Sequence, residues 1–390
     1  MCGLLWHLCR WGVAFLGTYL VNDMTDSPRL VQLAGTVLYS PLLIGGLVGG
    51  VISDRYDRRR TVQVQLLTLI PVTLLVGALV RSDNVEVWMV YVFMFAVGIG
   101  WVTDMTSRRA LVFDLVGPAH LDRAMALESI SLSTGMAIGA LVGGSAVGAV
   151  GIGGSYFVIA GFMLAASALL ATVRRQPRVL PASPTSDPAS ARSSARDLAE
   201  GVRLLRANRG VVAILGVTAI ANLFLFAYFP IVPVVAKRLD VSAFRVGLLL
   251  AGTGLGMLGG SLIFARLAPK RRGLSYVLGV FVAMGFVVPF ALGRNYWFVL
   301  MSIVASGVGS GFFGSTQSSL VIAATPEHLR GRALGLLSMA IGALPVGMYL
   351  LGELAERTGA SAALVITVSA GVVALALWVR THPELLRMTA

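Results

Sequence analysis

Apolar runs of about 20 residues, divided by short charged or proline-marked breaks, recur from one end of this chain to the other. Nothing else in the sequence narrows the fold so far. A helix of that length rises about 30 Å, the thickness of the hydrocarbon core of a bilayer. Inside that core every backbone N–H and C=O has to be paired within the protein, which leaves helices and closed barrels. The alternation of polar and apolar residues that barrel strands require is missing. The chain is 56% hydrophobic and 13% charged, with a mean hydropathy of +0.83, whereas a soluble domain carries about 25% charged residues. The expected fold is an all-α, polytopic membrane protein.

Twelve spans are predicted, at 4–22, 30–53, 61–80, 86–107, 124–150, 154–173, 211–235, 244–266, 274–293, 296–322, 333–354 and 360–380. With the basic loop at 54–60 set in the cytoplasm, 23 Lys and Arg fall on that side and seven on the other. By the positive-inside rule this asymmetry puts both termini in the cytoplasm, as in a multi-pass protein of a bacterial-type cytoplasmic (inner) membrane. It also accounts for the net charge of +13 without nucleic acid, because the basic residues sit between spans and not along a groove. Cys2 and Cys9 share one predicted helix, so neither a disulfide nor a metal site is expected. Arg10 interrupts the first span, which begins almost at Met1. Either the start of the chain is displaced or Arg10 faces the protein interior, since an unpaired arginine against lipid is costly.

Charge is concentrated at the end of the second span, where residues 45–60 read GGLVGGVISDRYDRRR. Glycines four apart share a helix face and allow close backbone approach; the dense charge that follows cannot lie in hydrocarbon and reads as a hinge between two spans. Between the sixth and seventh spans, residues 176–194 are rich in Pro, Ser, Ala and Arg, the composition of a flexible linker. The segment SARDLAEGVRLLRANRG follows, with Leu198, Val202 and Leu205 on one face and Arg203, Arg206 and Arg209 on the other. It suits a helix lying on the inner membrane surface. PAHLDRAMALES (118–129) and PEHLRGRALGLLS (326–338) align with one inserted residue about half a chain apart, which implies a duplicated six-helix unit. The organisation is thus a half at 1–173, a linker at 174–210 and a second, pseudo-symmetric half at 211–390. The loop RLAPKRR (266–272) keeps the basic cluster of DRYDRRR and lacks its aspartates.

With these features together the chain resembles the major facilitator superfamily. Gly50, Asp54, Arg55, Arg58 and Arg59 match its G-x-x-x-D-R-x-G-R-R signature, with Asp57 in place of the second glycine. GMAIGALVGG resembles the antiporter signature through Gly135, Gly139, Gly143 and Gly144, with Ala140 where proline is usual. TSRRALVFDLV, the EGVRLLR helix and PEHLRGRALGL look like the branch of siderophore (enterobactin-type) and macrolide exporters. The resemblance implies that spans 1, 4, 7 and 10 line a central cavity and that spans 2, 5, 8 and 11 form a sliding interface. Glycine stripes at Gly45/Gly49, Gly135/Gly139/Gly143, Gly252/Gly256/Gly260 and Gly331/Gly335 are read as that interface. It also implies that Asp54 pairs with Arg58 or Arg59 and meets the start of span 11 near Arg332 and Ala333, as a latch favoured by the helix N-terminus.

Asp104 and Arg108 stand four apart and are able to pair on one helix face, and Glu128 lies one turn into span 5. Carboxylates in a membrane span are candidates for proton coupling, unless these two sit close enough to the surface to be wet. On the implied cavity spans, Trp101, Asn222, Tyr228, Ser315 and Gln317 are the substrate candidates, and Pro230 and Pro233 are expected to kink span 7. The run GTGLGMLGG contains G-x-G-x-x-G, but no strand precedes it, so a dinucleotide site is rejected. The expected function is secondary active transport, not enzymology. It would export small, largely apolar compounds, drugs or secreted metabolites such as siderophores, by alternating access and proton antiport; the alternative is an uptake carrier. A proton gradient is the expected energy source, with no cofactor, and the working unit is expected to be a monomer.

Overall fold

The structure is a computed structural model that describes residues 2–43, 58–116, 121–172, 208–326 and 329–389. The described residues are helical almost throughout and contain no strand. In chain order the spans are α1 (Cys2–Thr25), α2 (Pro28–Tyr39), α3 (Arg58–Arg81) and α4 (Val87–Val116), then one long helix, Leu121–Thr172. That helix is two spans, α5 before and α6 after Gly151, whose φ of 75° and ψ of 173° break it. The second half contains α7 (Arg209–Ile220, continued by irregular turns to Lys237), α8 (Ala243–Leu267), α9 (Arg272–Leu292) and α10 (Tyr296–Ala323). It ends with α11 (Arg330–Ile341 and Leu344–Thr358 in tandem) and α12 (Ala360–Thr381). Ten stretches of the described residues meet the length and hydropathy of a membrane span. Divided at Gly151 they make eleven, and α2 (Pro28–Tyr39) begins where the remaining one of the twelve expected spans was placed. Of the latch residues, Gly50, Asp54 and Arg55 lie outside the described residues, as do Gly45/Gly49 and the linker as far as residue 207.

The start of α1 lies beside the end of α6, where Cys2 Sγ donates to the Ala166 carbonyl, and Met388 lies beside the start of α9, accepting from the Gly273 N–H; this is the near end of the bundle. At the opposite, far end five of the six connections are closed by a residue in the left-handed region: Asp26 (φ 54°), Asp83 (φ 55°) and Asp240 (φ 47°) after α1, α3 and α7, Gly151 after α5 and Gly359 (φ 82°) after α11; the sixth, after α9, turns through Gly293 with φ −61°. Aspartate tolerates that region better than most side chains, and glycine best. Polar caps then restart the helices. Ser27 accepts from the Leu30 N–H at 3.3 Å and Asn295 from the Trp297 N–H at 3.0 Å. Trp88 and Trp297, at the far-end starts of the symmetry-related α4 and α10, are 57% and 63% exposed and fit the aromatic belt of a membrane interface.

Helices in lipid gain from close van der Waals packing more than from the hydrophobic effect, so small residues decide which surfaces meet. The structure corrects the expectation drawn from the glycine stripes. Gly135, Gly139 and Gly143 face α1 within their own half: a Cβ at Gly135 would strike His7, at Gly139 the Leu8 carbonyl and the Trp11 side chain, and at Gly143 the Phe15 ring, 2.7 Å away. Gly252, Gly256 and Gly260 likewise face α10, against Val304, Gly307 and Val308. Gly335 meets nothing. The contact between halves uses a neighbouring stripe, Ser133, Ala137, Ala140 and Gly144 on α5 against Ala243, Gly247 and Gly254 on α8. A Cβ at Gly144 would lie 2.6 Å from the Ala243 carbonyl, and one at Gly247 would lie 2.5 Å from that of Ala140. Of the antiporter-like glycines, only Gly144 reaches the other half.

Candidate functional site

Where the halves meet, side chains from both enclose a narrow apolar cavity. Trp11, Phe15, Thr18, Tyr39 and Ala140 line it from the first half, and Phe229, Pro230 and Leu250 from the second. Its volume of about 20 Å³ holds roughly one water. Trp11 and Phe229 close it edge to face, with ring centroids 5.9 Å apart. Toward the far end the halves are tied by polar contacts. Arg29 Nε lies 2.7 Å from Glu353 Oε1, an ion pair. Ser27 Oγ donates to Glu356 at 2.8 Å, Lys237 pairs with Asp26, and the fully buried Gln32 donates to the Ala227 carbonyl at 3.0 Å.

On the near-end side of this cavity, α1, α4 and α5 bring five ionisable side chains together. Asp104 is held by Arg108, whose Nε lies 2.9 Å from both carboxylate oxygens, and both residues are buried. Planar guanidinium on planar carboxylate satisfies both partners, which is what allows the pair to be buried. The long α4 keeps 104–108 helical, as the four-residue spacing required, and runs on to Val116, beyond the expected end of the span at 107. Glu128 Oε1 lies 2.9 Å from His7 Nε2, and its side chain is 24% exposed. Of the two carboxylates, therefore, Asp104 is buried and Glu128 is partly exposed. Gly3 of α1 sits against both Glu128 and Arg108, so the two pairs adjoin.

Arg10 completes the group. It is 3% exposed, so it faces the protein interior. Its guanidinium carbon lies 4.0 Å from the centroid of the Trp101 ring and 4.9 Å from that of Trp11. Trp101 in turn meets Tyr39, edge to face at 4.9 Å. His7 and Arg10 were visible in the sequence as polar residues three apart in an apolar span, but their partners on α4 and α5 were not.

The remaining sequence candidates divide. Trp101 sits beside the cavity wall. Asn222 is buried within a π-helical turn, Ala221–Leu225, and donates to the Thr218 carbonyl at 2.9 Å. Gln317 donates to Thr218 Oγ1 at 3.3 Å, and Thr218 bonds the Tyr276 hydroxyl at 2.7 Å, so Asn222 and Gln317 share one polar cluster in the second half. Ser315 is exposed and donates back to the Gly311 carbonyl of its own helix. Tyr228 is not a cavity residue. It is 1% exposed, bonds Thr253 at 3.1 Å and packs on Phe290. The cause is the helix register: after the π turn, Phe226–Ile231 winds as a 3₁₀ helix, which carries Tyr228 into the core and presents Phe229 and Pro230 to the cavity. Arg59 donates to the carbonyls of Leu170 and Ala171 at 3.2 and 2.7 Å, tying the start of α3 to the end of α6. Both cysteines are free, and among the described residues no cluster of His, Cys, Asp and Glu could hold a metal ion.

Comparison with known proteins gives this geometry its context. The chain is 27% identical over 344 residues to the enterobactin exporter EntS of Salmonella choleraesuis (strain SC-B67), covering 86% of this chain and 79% of that protein. It is 23% identical over 366 residues to macrolide efflux protein A of Streptococcus pyogenes, covering 87% and 84%. Among solved structures it resembles an inward-facing, unoccupied bacterial homologue of the human lysosomal transporter Spinster, with a TM-score of 0.74 at 15% identity, covering 100% of this chain and 98% of that one. A D-xylose–proton symporter aligns with a TM-score of 0.74 at 17% identity, covering 100% and 98%. The family model described as Major Facilitator Superfamily matches residues 1–344, and the chain belongs to that superfamily of membrane transporters, not to an enzyme family.

Proposed function

We propose that the protein exports small, largely apolar compounds from the cytoplasm by alternating access, driven by proton antiport. The observation that carries this reading is the cavity itself. It is shared by both halves, walled by aromatic and aliphatic side chains, and adjoins a buried set of paired ionisable groups. Apolar walls suit a weakly hydrated cargo, and carboxylates beside them, Asp104 with Arg108 and Glu128 with His7, give protons a place to bind. The exporters among its relatives support the direction. In this reading the near end is cytoplasmic, the far-end contacts form the external seal, and Asp54 latches the cytoplasmic side. The protein then sits in a bacterial cytoplasmic membrane as a monomer and needs no cofactor beyond the proton gradient.

The test is expression in a host stripped of efflux pumps, scoring resistance and accumulation for a panel of compounds. Uptake by inverted vesicles with and without an imposed proton gradient follows. Accumulation that falls on expression and responds to the gradient is the expected result. Accumulation that rises means an uptake carrier, and indifference to the gradient removes the antiport. Asp54→Asn is expected to lower transport while leaving the fold intact.

A further inference from the structure

Five ionisable side chains lie near the cavity, and four are paired with one another, although the buried His7 Nδ1 has no partner. Asp104 and Arg108 satisfy one another in a two-pronged contact, and His7 and Glu128 hold each other. Arg10 stands apart. Among the described residues no carboxylate lies within ion-pair distance of it, and its buried Nη1 has no hydrogen-bond partner. Asp104 does not serve, because both of its oxygens already face Arg108. A guanidinium has five N–H donors and cannot shed its charge, so burying it without a counter-anion is unfavourable and needs a reason.

Its surroundings suggest one. Trp101 lies against one side of the guanidinium and Trp11 near it, which compensates a cation in part. Trp11 and Tyr39, which touches Trp101, are also cavity walls. Arg10 thus touches a ring, Trp11, that itself lines the space between the halves. With the halves parted, a flat aromatic group would stack against these rings, and an acidic oxygen on that group would supply the acceptor that Nη1 lacks. We infer that Arg10, boxed by Trp11, Tyr39 and Trp101, is a recognition site for the acidic group of an aromatic organic anion, typified by a carboxylate. The cavity as it stands admits only about one water, so the halves must part, with Trp11 leaving Phe229, before such a ligand enters.

This deepens the exporter reading by naming a cargo class and rests on it for the word cargo. The binding itself is testable without transport. The purified full-length protein in detergent is titrated with 1-naphthoate, 1-naphthamide and 1-naphthylmethylamine, following tryptophan fluorescence and thermal unfolding. The acid is expected to bind at least 10-fold more tightly than the amide or the amine. Arg10→Gln is expected to make acid and amide equal, Arg10→Lys to keep part of the preference, and Trp101→Leu to weaken both acid and amide. Equal binding of the three probes to the unaltered protein overturns the proposal, even where Arg10→Gln fails to fold. So does no acid binding up to 10 mM, or an acid preference that survives Arg10→Gln. Acid binding without transport in vesicles would keep the site and remove the exporter reading; transport of neutral compounds with no acid preference would do the reverse.

Discussion

Asp104 and Arg108 show how costly single residues are in this protein. Each is acceptable in the interior only because the other is there, so removing one leaves a buried charge with no counter-charge in contact. Asp104→Asn is expected to destabilise the protein by about 3 kcal/mol or more in detergent unfolding, whereas Asp104→Asn with Arg108→Met should recover most of that loss. A double variant as unstable as the single one would mean that the carboxylate matters through some other contact. The pair was legible in the sequence because four-residue spacing on a helix is a local property. His7–Glu128 was not, since the partners are 121 residues apart and meet only once α5 has packed on α1. Tyr228 and Phe229 mark the other limit: one position decides which ring faces the cavity, and a π turn followed by a 3₁₀ turn shifts that position. Pro230 signalled an irregularity, but not its hand or its size.

At the scale of helices, two sets of glycines on α5 do different work although they interleave in sequence. Gly139 holds α5 to α1 inside one half, and Gly144 lets α5 touch α8 of the other. A methyl at Gly139 collides with backbone, which cannot move without shifting a helix. Gly139→Ala is therefore expected to lower unfolding stability by about 1–3 kcal/mol. Gly144→Ala meets its obstacle across the boundary between the halves, which the proposed alternating access lets part to relieve it. Its expected signature is altered transport, with an unfolding midpoint close to that of the unaltered protein. A Cβ at Gly161 would have no neighbour within 4 Å, and Gly161→Ala serves as the control, expected to be neutral or to stabilise by about 0.5–1 kcal/mol. If Gly139→Ala and Gly144→Ala behave alike, the division between packing within a half and contact between halves is wrong. Sequence alone shows small residues recurring every four positions, and several such stripes overlap on one helix. Which stripe faces which neighbour depends on how the helix is rotated, and only tertiary contacts settle that. Span number was far more legible, because hydropathy and bilayer thickness fix it; limits were less so, since α4 runs to Val116 where 107 was expected.

Across the whole molecule, the far-end seal combines polar ties with packed surfaces, and the two contribute unequally. The ion pair of Arg29 with Glu353 is worth little by itself, since the arginine side chain is 54% exposed. The contacts of the Ser27 hydroxyl and the Arg29 backbone N–H with Glu356 are charge-assisted but also sit at the surface. Together they are expected to bias the closed form by about 1 kcal/mol, a factor of about five in the open-to-closed ratio. The packed part runs along Gly144 and Gly247, and through Trp11 on Phe229. A single cysteine at Thr18, which lines the cavity beneath the seal, reports on both in a background where Cys2 and Cys9 are replaced. Thr18→Cys is expected to react slowly with an impermeant maleimide added from outside. Glu353→Gln with Glu356→Gln should raise the rate about five-fold, and Gly144→Val should raise it further, because the bulky side chain keeps the halves apart however the polar ties are made. If the glutamate pair changes nothing while Gly144→Val still acts, closure is a matter of surface fit alone. Were neither to alter the rate, the seal would have to lie elsewhere, and the contacts at this end would be incidental to the transport cycle.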